Sequence, residues 1–157
     1  MPNENAHGAG RTRGGAGAQW QGEVRELSRG EACALRWDAA SSRGVSHADP
    51  QAVVLGYILR GRLCGLAEIV PSRPGSGGWA EAMLSVAPAW QDCGIGSLLM
   101  AHVLDHARER GIDHLYLRCH ALNARMQSIA EKFGATFAFD DCECFAHFPV
   151  ARAAACH

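Results

Sequence analysis

The chain has 157 residues, of which 48% are apolar and 20% charged, and its formal net charge is −1. This length fits one domain, and the composition is typical of a soluble globular protein. The near-zero charge gives no strong field for nucleic acid or a membrane surface, and no apolar run approaches the roughly 20 residues that cross a bilayer. We therefore expect neither a nucleic-acid partner nor a membrane partner.

The two ends of the chain are expected to lie outside the folded part. Residues 1–19 lack aromatic residues and are rich in glycine, so they cannot bury enough apolar surface to offset the entropy lost on ordering. We predict a disordered tail there, a folded domain over 20–150 and a short tail over 151–157. The seven cysteines are scattered and no apolar secretory segment precedes them, which favours reduced thiols and a cytoplasmic location.

The first half of the domain predicts strands interrupted by one helix. A strand is expected over 20–28, then a helix over 31–40 that starts at a capping box of Ser28 and Glu31. Three further strand-like runs, separated by turn-rich segments, cover residues 51–59, 63–70 and 79–88. These three runs are expected to form an antiparallel meander.

The second half predicts a crossover followed by a hairpin. A long helical pattern covers 97–110 and ends at Gly111, where a left-handed cap belongs. A strand at 112–120, a second helix at 123–133 and a hairpin at 135–148 follow. Strand, long helix and strand in succession suggest a parallel crossover. The expected fold is α/β with a mixed sheet, mostly antiparallel, with a central parallel crossover and flanking helices.

Two glycines stand directly before the long helix, in the segment WQDCGIGSLLM at 90–100. A helix N-terminus carries unpaired N–H groups and a partial positive charge, and Gly94 and Gly96 would let an anion approach the backbone. Gln91 would add a side-chain donor and Ser97 a hydroxyl. The spacing fits neither of the two common phosphate-loop patterns. A phosphate site and a tight strand-to-helix turn without a ligand therefore both stay open.

The segment VAPAWQDCGIGSLLM resembles the acetyl-CoA signature of the GNAT superfamily of N-acetyltransferases, Q/R-x-x-G-x-G/A, which Gln91, Gly94 and Gly96 match. The segment NARMQSIAEKFGA resembles the second signature of that family, a helix that begins at an asparagine and ends in Lys-x-Gly. The resemblance spans residues 22–148, and the family's strand order agrees with the predicted one. The first signature looks most like that of GNAT domains related to bacterial protein lysine acetyltransferases.

The resemblance implies an enzyme that takes acetyl-CoA as its acyl donor and transfers the acetyl group directly to an amine, on a protein or on a small molecule. Backbone amides of the glycine loop would cradle the CoA pyrophosphate, and an amide near Ser85 or Val86 would polarise the thioester carbonyl. Asn123 would contact the pantetheine and Met126 would pack nearby, with a helix cap and a core position as the alternatives. The implied cofactor-binding residues are Leu84, Ser85, Val86, Gln91, Cys93, Gly94, Ile95, Gly96, Ser97, Asn123 and Met126.

Glu81 is the candidate general base. A lysine-like amine is almost fully protonated at pH 7, so a positioned base would speed the reaction. Several branches of the family carry a glutamate on the strand that leads to the glycine loop, where Glu81 lies. Strict alternation puts Glu81 on the strand face opposite Val86, so a bulge would be needed to aim it. An exposed strand carboxylate is the alternative, and Glu68 is the reserve candidate.

The chain departs from the family pattern in two places. Ala130 stands where many members carry the tyrosine that protonates the leaving thiolate. This departure keeps a second function open, a non-catalytic CoA-binding or acyl-CoA-binding sensor or regulatory module. Members usually have two helices between the first two strands, whereas residues 28–50 have room for one. An open acceptor cleft is expected, which suits a protein lysine or N-terminus better than an enclosed small molecule.

No metal site is predicted, although two pairs of ligand-type residues stand out. His102 and His106 have the helical spacing of a zinc pair, and Cys142 and Cys144 share one face of the hairpin, but neither pair has the further ligands that zinc needs. The terminal hairpin is expected to have exposed edges that could pair with a second copy, which leaves a homodimer open.

Overall fold

The computed structural model describes residues 22–34, 50–72 and 78–150. Within these ranges the elements are, in chain order, β1 (Gly22–Leu27), α1 (Arg29–Ala34), β2 (Val53–Leu59), β3 (Arg62–Pro71), β4 (Trp79–Val86), a 3-10 turn (Pro88–Trp90), α2 (Ile95–Glu109), β5 (His114–His120), α3 (Ala124–Lys132), β6 (Thr136–Asp140) and β7 (Glu143–Pro149). The predicted tails, and the later part of the helix expected over 31–40, lie outside the described residues.

The strands form one mixed sheet in the order β1-β2-β3-β4-β5-β7-β6. Neighbouring strands are antiparallel except β4 and β5, which are parallel. The chain passes from β4 to β5 through α2, because parallel neighbours need a crossover connection. The predicted meander and central parallel crossover are confirmed.

Local signals in the sequence set where the helices begin and end. The Ser28 N–H donates to the Glu31 carboxylate at 2.8 Å, and the Glu31 N–H donates to Ser28 Oγ at 3.1 Å, which is the predicted capping box. The bond from the Ser28 backbone, with Arg25 beside it, holds the pKa of Glu31 below its usual value. After α2 and α3 the chain turns through Gly111 at φ 69° and Gly134 at φ 80°, as left-handed helix exits require.

The two faces of the sheet are covered differently. Helix α2 packs on the face that carries the main core, which includes Leu55, Tyr57, Ile69, Leu99, Met100, Leu115 and Phe148. A Cβ on Gly65 of β3 would lie 2.7 Å from Ile95 Cγ2, so the start of α2 sits tightly against the sheet. Ala32 of α1 packs on the smaller cluster, which consists of Leu27, Val54, Ile58, Leu63 and Leu66. We call the sheet face turned away from α2 the outer face.

Candidate active site

Strands β4 and β5 separate near the middle of the sheet. They pair over four positions, from Trp79 opposite His114 to Ala82 opposite Leu117. Beyond Ala82, β4 keeps its partners on β3 and β5 keeps its partners on β7, but the two strands no longer pair with each other. We call this opening the split. Within the described ranges, it leaves one side of the end of β4 without a neighbouring strand.

Backbone alternation decides which groups of β4 face the split. The Ala87 N–H donates to the Cys64 carbonyl of β3 at 2.9 Å. Because strand residues alternate their backbone groups between the two neighbours, the groups of Ser85 also face β3, whereas those of Leu84 and Val86 face the split. Of the two amides expected to polarise a carbonyl, the geometry therefore favours Val86 over Ser85.

A groove of about 780 Å³ runs from the split along the starts of α2 and α3. Ten of the predicted residues line it: Leu84, Ser85, Val86, Gln91, Gly94, Ile95, Gly96, Ser97, Asn123 and Met126. Cys93 is not among the lining residues, since its thiol lies 3.5 Å from the Gln91 carbonyl and packs against the core. Glu81 is not among them either, because its side chain lies on the outer face.

Helix α2 begins at the groove without a side-chain cap. Its N-cap is Gly94, in the left-handed conformation at φ 84°, which has no side chain to accept a hydrogen bond from the first turn. Helix α3 differs, because Asn123 Oδ1 accepts the N–H of Met126 at 3.1 Å. The first N–H groups of α2 are therefore available to an anion in the groove, where the helix dipole also favours negative charge.

The two glycines of the loop have different structural roles. Gly94 has a positive φ, which side-chain-bearing residues rarely adopt. Gly96 has an ordinary φ, but a Cβ there would lie 2.7 Å from Ile129 Cδ1. Gly96 therefore lets α3 pack closely against α2, a packing role that the sequence did not indicate.

A polar bridge that the sequence analysis missed joins the loop to α3. Arg125 donates to Gln91 Oε1, and its second terminal nitrogen lies 3.1 Å from Asp92 Oδ2. Gln91 Nε2 in turn donates to the Val86 carbonyl at 3.1 Å. The side chain of Gln91 thus ties the end of β4 to α3, so its amide holds the shape of the groove. The sequence carries no local signal for a contact between residues 34 apart.

Glu81 lies on the outer face, one residue before the split opens. The register between β3 and β4 is unbroken, so no bulge redirects its side chain, and the predicted alternation holds. Glu81 Oε1 lies 3.8 Å from Arg118 Nε, which is 3.4 Å from Glu143 Oε1. The reserve candidate, Glu68, faces Met83 across the strand pair and is only 3% exposed.

The β5 side of the split contains a thiol that stays protonated. Burial, with the neighbouring Cys144 thiol, raises the pKa of Cys119 to about 11. Among the described residues, no three histidine, cysteine, aspartate or glutamate side chains are grouped so that they could hold a metal ion. None of the helices in those ranges is long and apolar enough to span a membrane.

The chain belongs to the Acetyltransferase (GNAT) family, whose model matches residues 18–135. This match confirms the predicted family and an acetyltransferase as the general class of activity. No curated protein sequence matches the chain.

Three solved structures illustrate the shared fold. The ribosomal-protein-S18-alanine N-acetyltransferase of Escherichia coli has a TM-score of 0.67 and 18% identity, over 85% of this chain and 97% of that one. The GNAT domain of S. lividans PAT is 27% identical with a TM-score of 0.55, over 62% of this chain and 60% of that one. The yncA structure from Salmonella typhimurium, which contains its cofactor acetyl-CoA, is 22% identical with a TM-score of 0.57, over 66% and 68% of the two chains. The mixed sheet with its flanking helices matches these structures.

Proposed function

We propose that the protein transfers an acetyl group from acetyl-CoA directly to a primary amine, on a protein or on a small molecule. The observation that carries this proposal is the uncapped start of α2, which opens into a groove that continues to the unpaired end of β4. A phosphate-bearing, extended ligand needs both features, because its phosphates require N–H donors and its arm requires a free strand edge.

The residues of the groove fit the CoA part of this donor. Amides between Cys93 and Ser97 would hold the pyrophosphate, and the split-facing groups of Leu84 and Val86 would run beside the pantetheine arm. Asn123 and Met126 would contact that arm from the start of α3. Arg125 and Lys132 also line the groove, and Asp92 is the one acidic residue among its described lining residues. This excess of positive charge suits a ligand with several phosphates.

The chemistry proposed for this chain uses groups on both sides of the sheet at the split. Bound acetyl-CoA would supply the thioester that is attacked. Glu81 would take the proton from the acceptor ammonium, directly or through water, and the Val86 N–H would donate to the developing oxyanion. Ala130 is 1% exposed and offers no proton. A leaving thiol of pKa ~8.5 departs as a fairly stable thiolate, and water can protonate it.

Calorimetric titration with acetyl-CoA and with CoA tests the cofactor site. We expect micromolar binding of both. Ser97→Glu places a carboxylate beside the first N–H groups of α2, which suits the helix dipole but repels the pyrophosphate, so it should weaken binding at least tenfold. Ser97→Ala is the matched control and should bind within about threefold of the native protein. Absence of binding by the native protein would overturn the proposal.

The second candidate function is a CoA-binding module without catalysis, and Ala130 at the position of the usual tyrosine favours it. Thiol release measured with a panel of amines and peptides separates the two. The enzyme should lose about 10²-fold or more of its rate in Glu81→Gln. If acetyl transfer is unchanged in that variant, the assignment of the base is wrong. If the native protein binds acetyl-CoA but releases no thiol with any acceptor, the sensor function is supported.

A cytoplasmic location is part of the same proposal. Among the described residues, Cys93, Cys119, Cys142 and Cys144 are free thiols. Free thiols in this number suit a reducing compartment.

A further inference from the structure

An aromatic cluster lies on the outer face, where β4, β5 and β7 are neighbours. The rings of Trp79 and Tyr116 meet edge to face with centroids 6.1 Å apart, and Tyr116 stacks on His147 at 4.9 Å. His147 also stacks on His114 at 5.2 Å, with ring nitrogens 3.0 Å apart. Trp79 is 42% exposed, which is unusual for so large an apolar side chain. The groove on the other side of the sheet does not use this cluster.

Acidic residues flank the aromatic cluster on its side nearer the split. Glu81 lies opposite Tyr116, and Arg118 follows one step along β5 between Glu81 and Glu143. Asp140 pairs with Glu143 across the β6–β7 hairpin and shares its face. Among the described residues, three carboxylates thus accompany one guanidinium at this end of the outer face. These described residues give it a negative local charge, although the whole chain is nearly neutral.

The distance from the split to the aromatic cluster sets the minimum length of a ligand that can react at the split and also contact the cluster. Met83, the first residue of β4 beyond its pairing with β5, is 39% exposed on the outer face, four residues from Trp79. Same-face side chains repeat at about 6.6 Å along a strand, so Met83 and Trp79 are about 13 Å apart. A small amine that reacts at the split cannot also reach the rings. An extended polypeptide covers that distance with about four residues.

We propose that the outer face of β4, β5 and β7 docks the acceptor as a cationic polypeptide segment. A basic side chain about four residues from the acceptor amine lies over Trp79 and Tyr116, where aromatic faces attract cations, and the adjacent carboxylates favour the same charge. This inference rests on the proposed function, because it identifies the acceptor of that reaction as a polypeptide with basic flanks.

Fluorescence anisotropy with labelled peptides tests the docking without turnover. The probes are two blocked nine-residue peptides with one central lysine, one with arginine at both ends and one with glutamate there. The arginine peptide should bind at least tenfold more tightly than the glutamate peptide, and the difference should shrink in high salt. Trp79→Ala should weaken the arginine peptide about three- to fivefold.

Phe139→Ala is the matched control, since Phe139 is a 61% exposed aromatic on β6 that pairs with the core residue Cys144 and so faces away from the outer face. It should leave peptide binding unchanged. The inference is overturned if the arginine peptide does not bind, if both peptides bind equally, or if Trp79→Ala and Phe139→Ala have equal effects. Failure of the proposed function can be distinguished from failure of this inference. In that case the native protein would not bind acetyl-CoA, whereas the arginine peptide would still bind more tightly than the glutamate peptide.

Discussion

At the scale of single residues, Gly94 shows how one backbone angle positions the site. Gly94 precedes α2 and has the left-handed conformation, with a φ of 84°, which costs other residues about 1–2 kcal/mol. We expect Gly94→Ala to lower the free energy of unfolding by about that amount, measured by urea denaturation. Gly30→Ala in α1 is the control, since the nearest atom to its new Cβ is Ser28 Oγ at 3.9 Å. Equal effects of the two substitutions would refute the backbone explanation.

Asn123 allows its capping role and its proposed cofactor role to be separated. Its Oδ1 caps α3, so Asn123→Ala should lower the free energy of unfolding by about 1 kcal/mol. Asn123→Asp keeps the capping oxygen and should preserve stability, but it adds a negative charge to the groove and should weaken acetyl-CoA binding. Urea denaturation and calorimetry on both variants check this. Unchanged acetyl-CoA affinity in Asn123→Asp would mean that Asn123 caps α3 and does not contact the cofactor.

The sequence predicted helix caps well, because local chemistry determines their place. The caps at Ser28 and Asn123 follow from side-chain preferences within three or four residues. Two contacts could not be predicted, because they depend on how α3 packs against α2. They are the bridge from Arg125 to Gln91 and the close packing of Gly96 on Ile129. Such contacts arise from tertiary packing, which leaves no local pattern.

At the scale of elements, α2 carries a pH-dependent contribution to stability. Burial of His106, together with the positive charge of Arg110, lowers the pKa of its imidazole below the ordinary 6.5. The unfolded chain therefore binds a proton more readily than the folded one, and stability falls as the pH drops below about 6.5 towards the lower folded value.

His106→Gln removes this contribution while keeping a polar side chain on the helix. Denaturation between pH 7.5 and 5 should show a smaller loss of stability in the variant than in the native protein. The comparison uses the difference between the two proteins at each pH, because carboxylates also titrate at the acidic end. Parallel curves would mean that His106 has the same pKa in both states.

Strands and helices were predictable because each has its own periodicity. The order of the elements and the parallel crossover followed from runs of apolar residues and their turn signals. The sequence carried no signal for the split, which is the loss of pairing between β4 and β5 after Ala82 and Leu117. Pairing between strands that are distant in the chain is not encoded by either strand alone.

At the scale of the whole molecule, the groove joins segments that are far apart in the chain: β4, the 3-10 turn, the start of α2 and α3. A ligand that holds these segments together binds the folded state alone and therefore opposes global unfolding. Acetyl-CoA at 100 times its dissociation constant should raise the free energy of unfolding by about 2.7 kcal/mol. For a domain of this size the melting temperature should rise by about 5–10 °C.

Thermal unfolding of the native protein, Ser97→Ala and Ser97→Glu at one fixed acetyl-CoA concentration checks this expectation. The first two should show the full rise, whereas Ser97→Glu should show a much smaller one, because its carboxylate repels the pyrophosphate at the start of α2. An equal rise in all three proteins would place acetyl-CoA at a surface other than the groove. The uncapped helix start would then have no part in holding the cofactor.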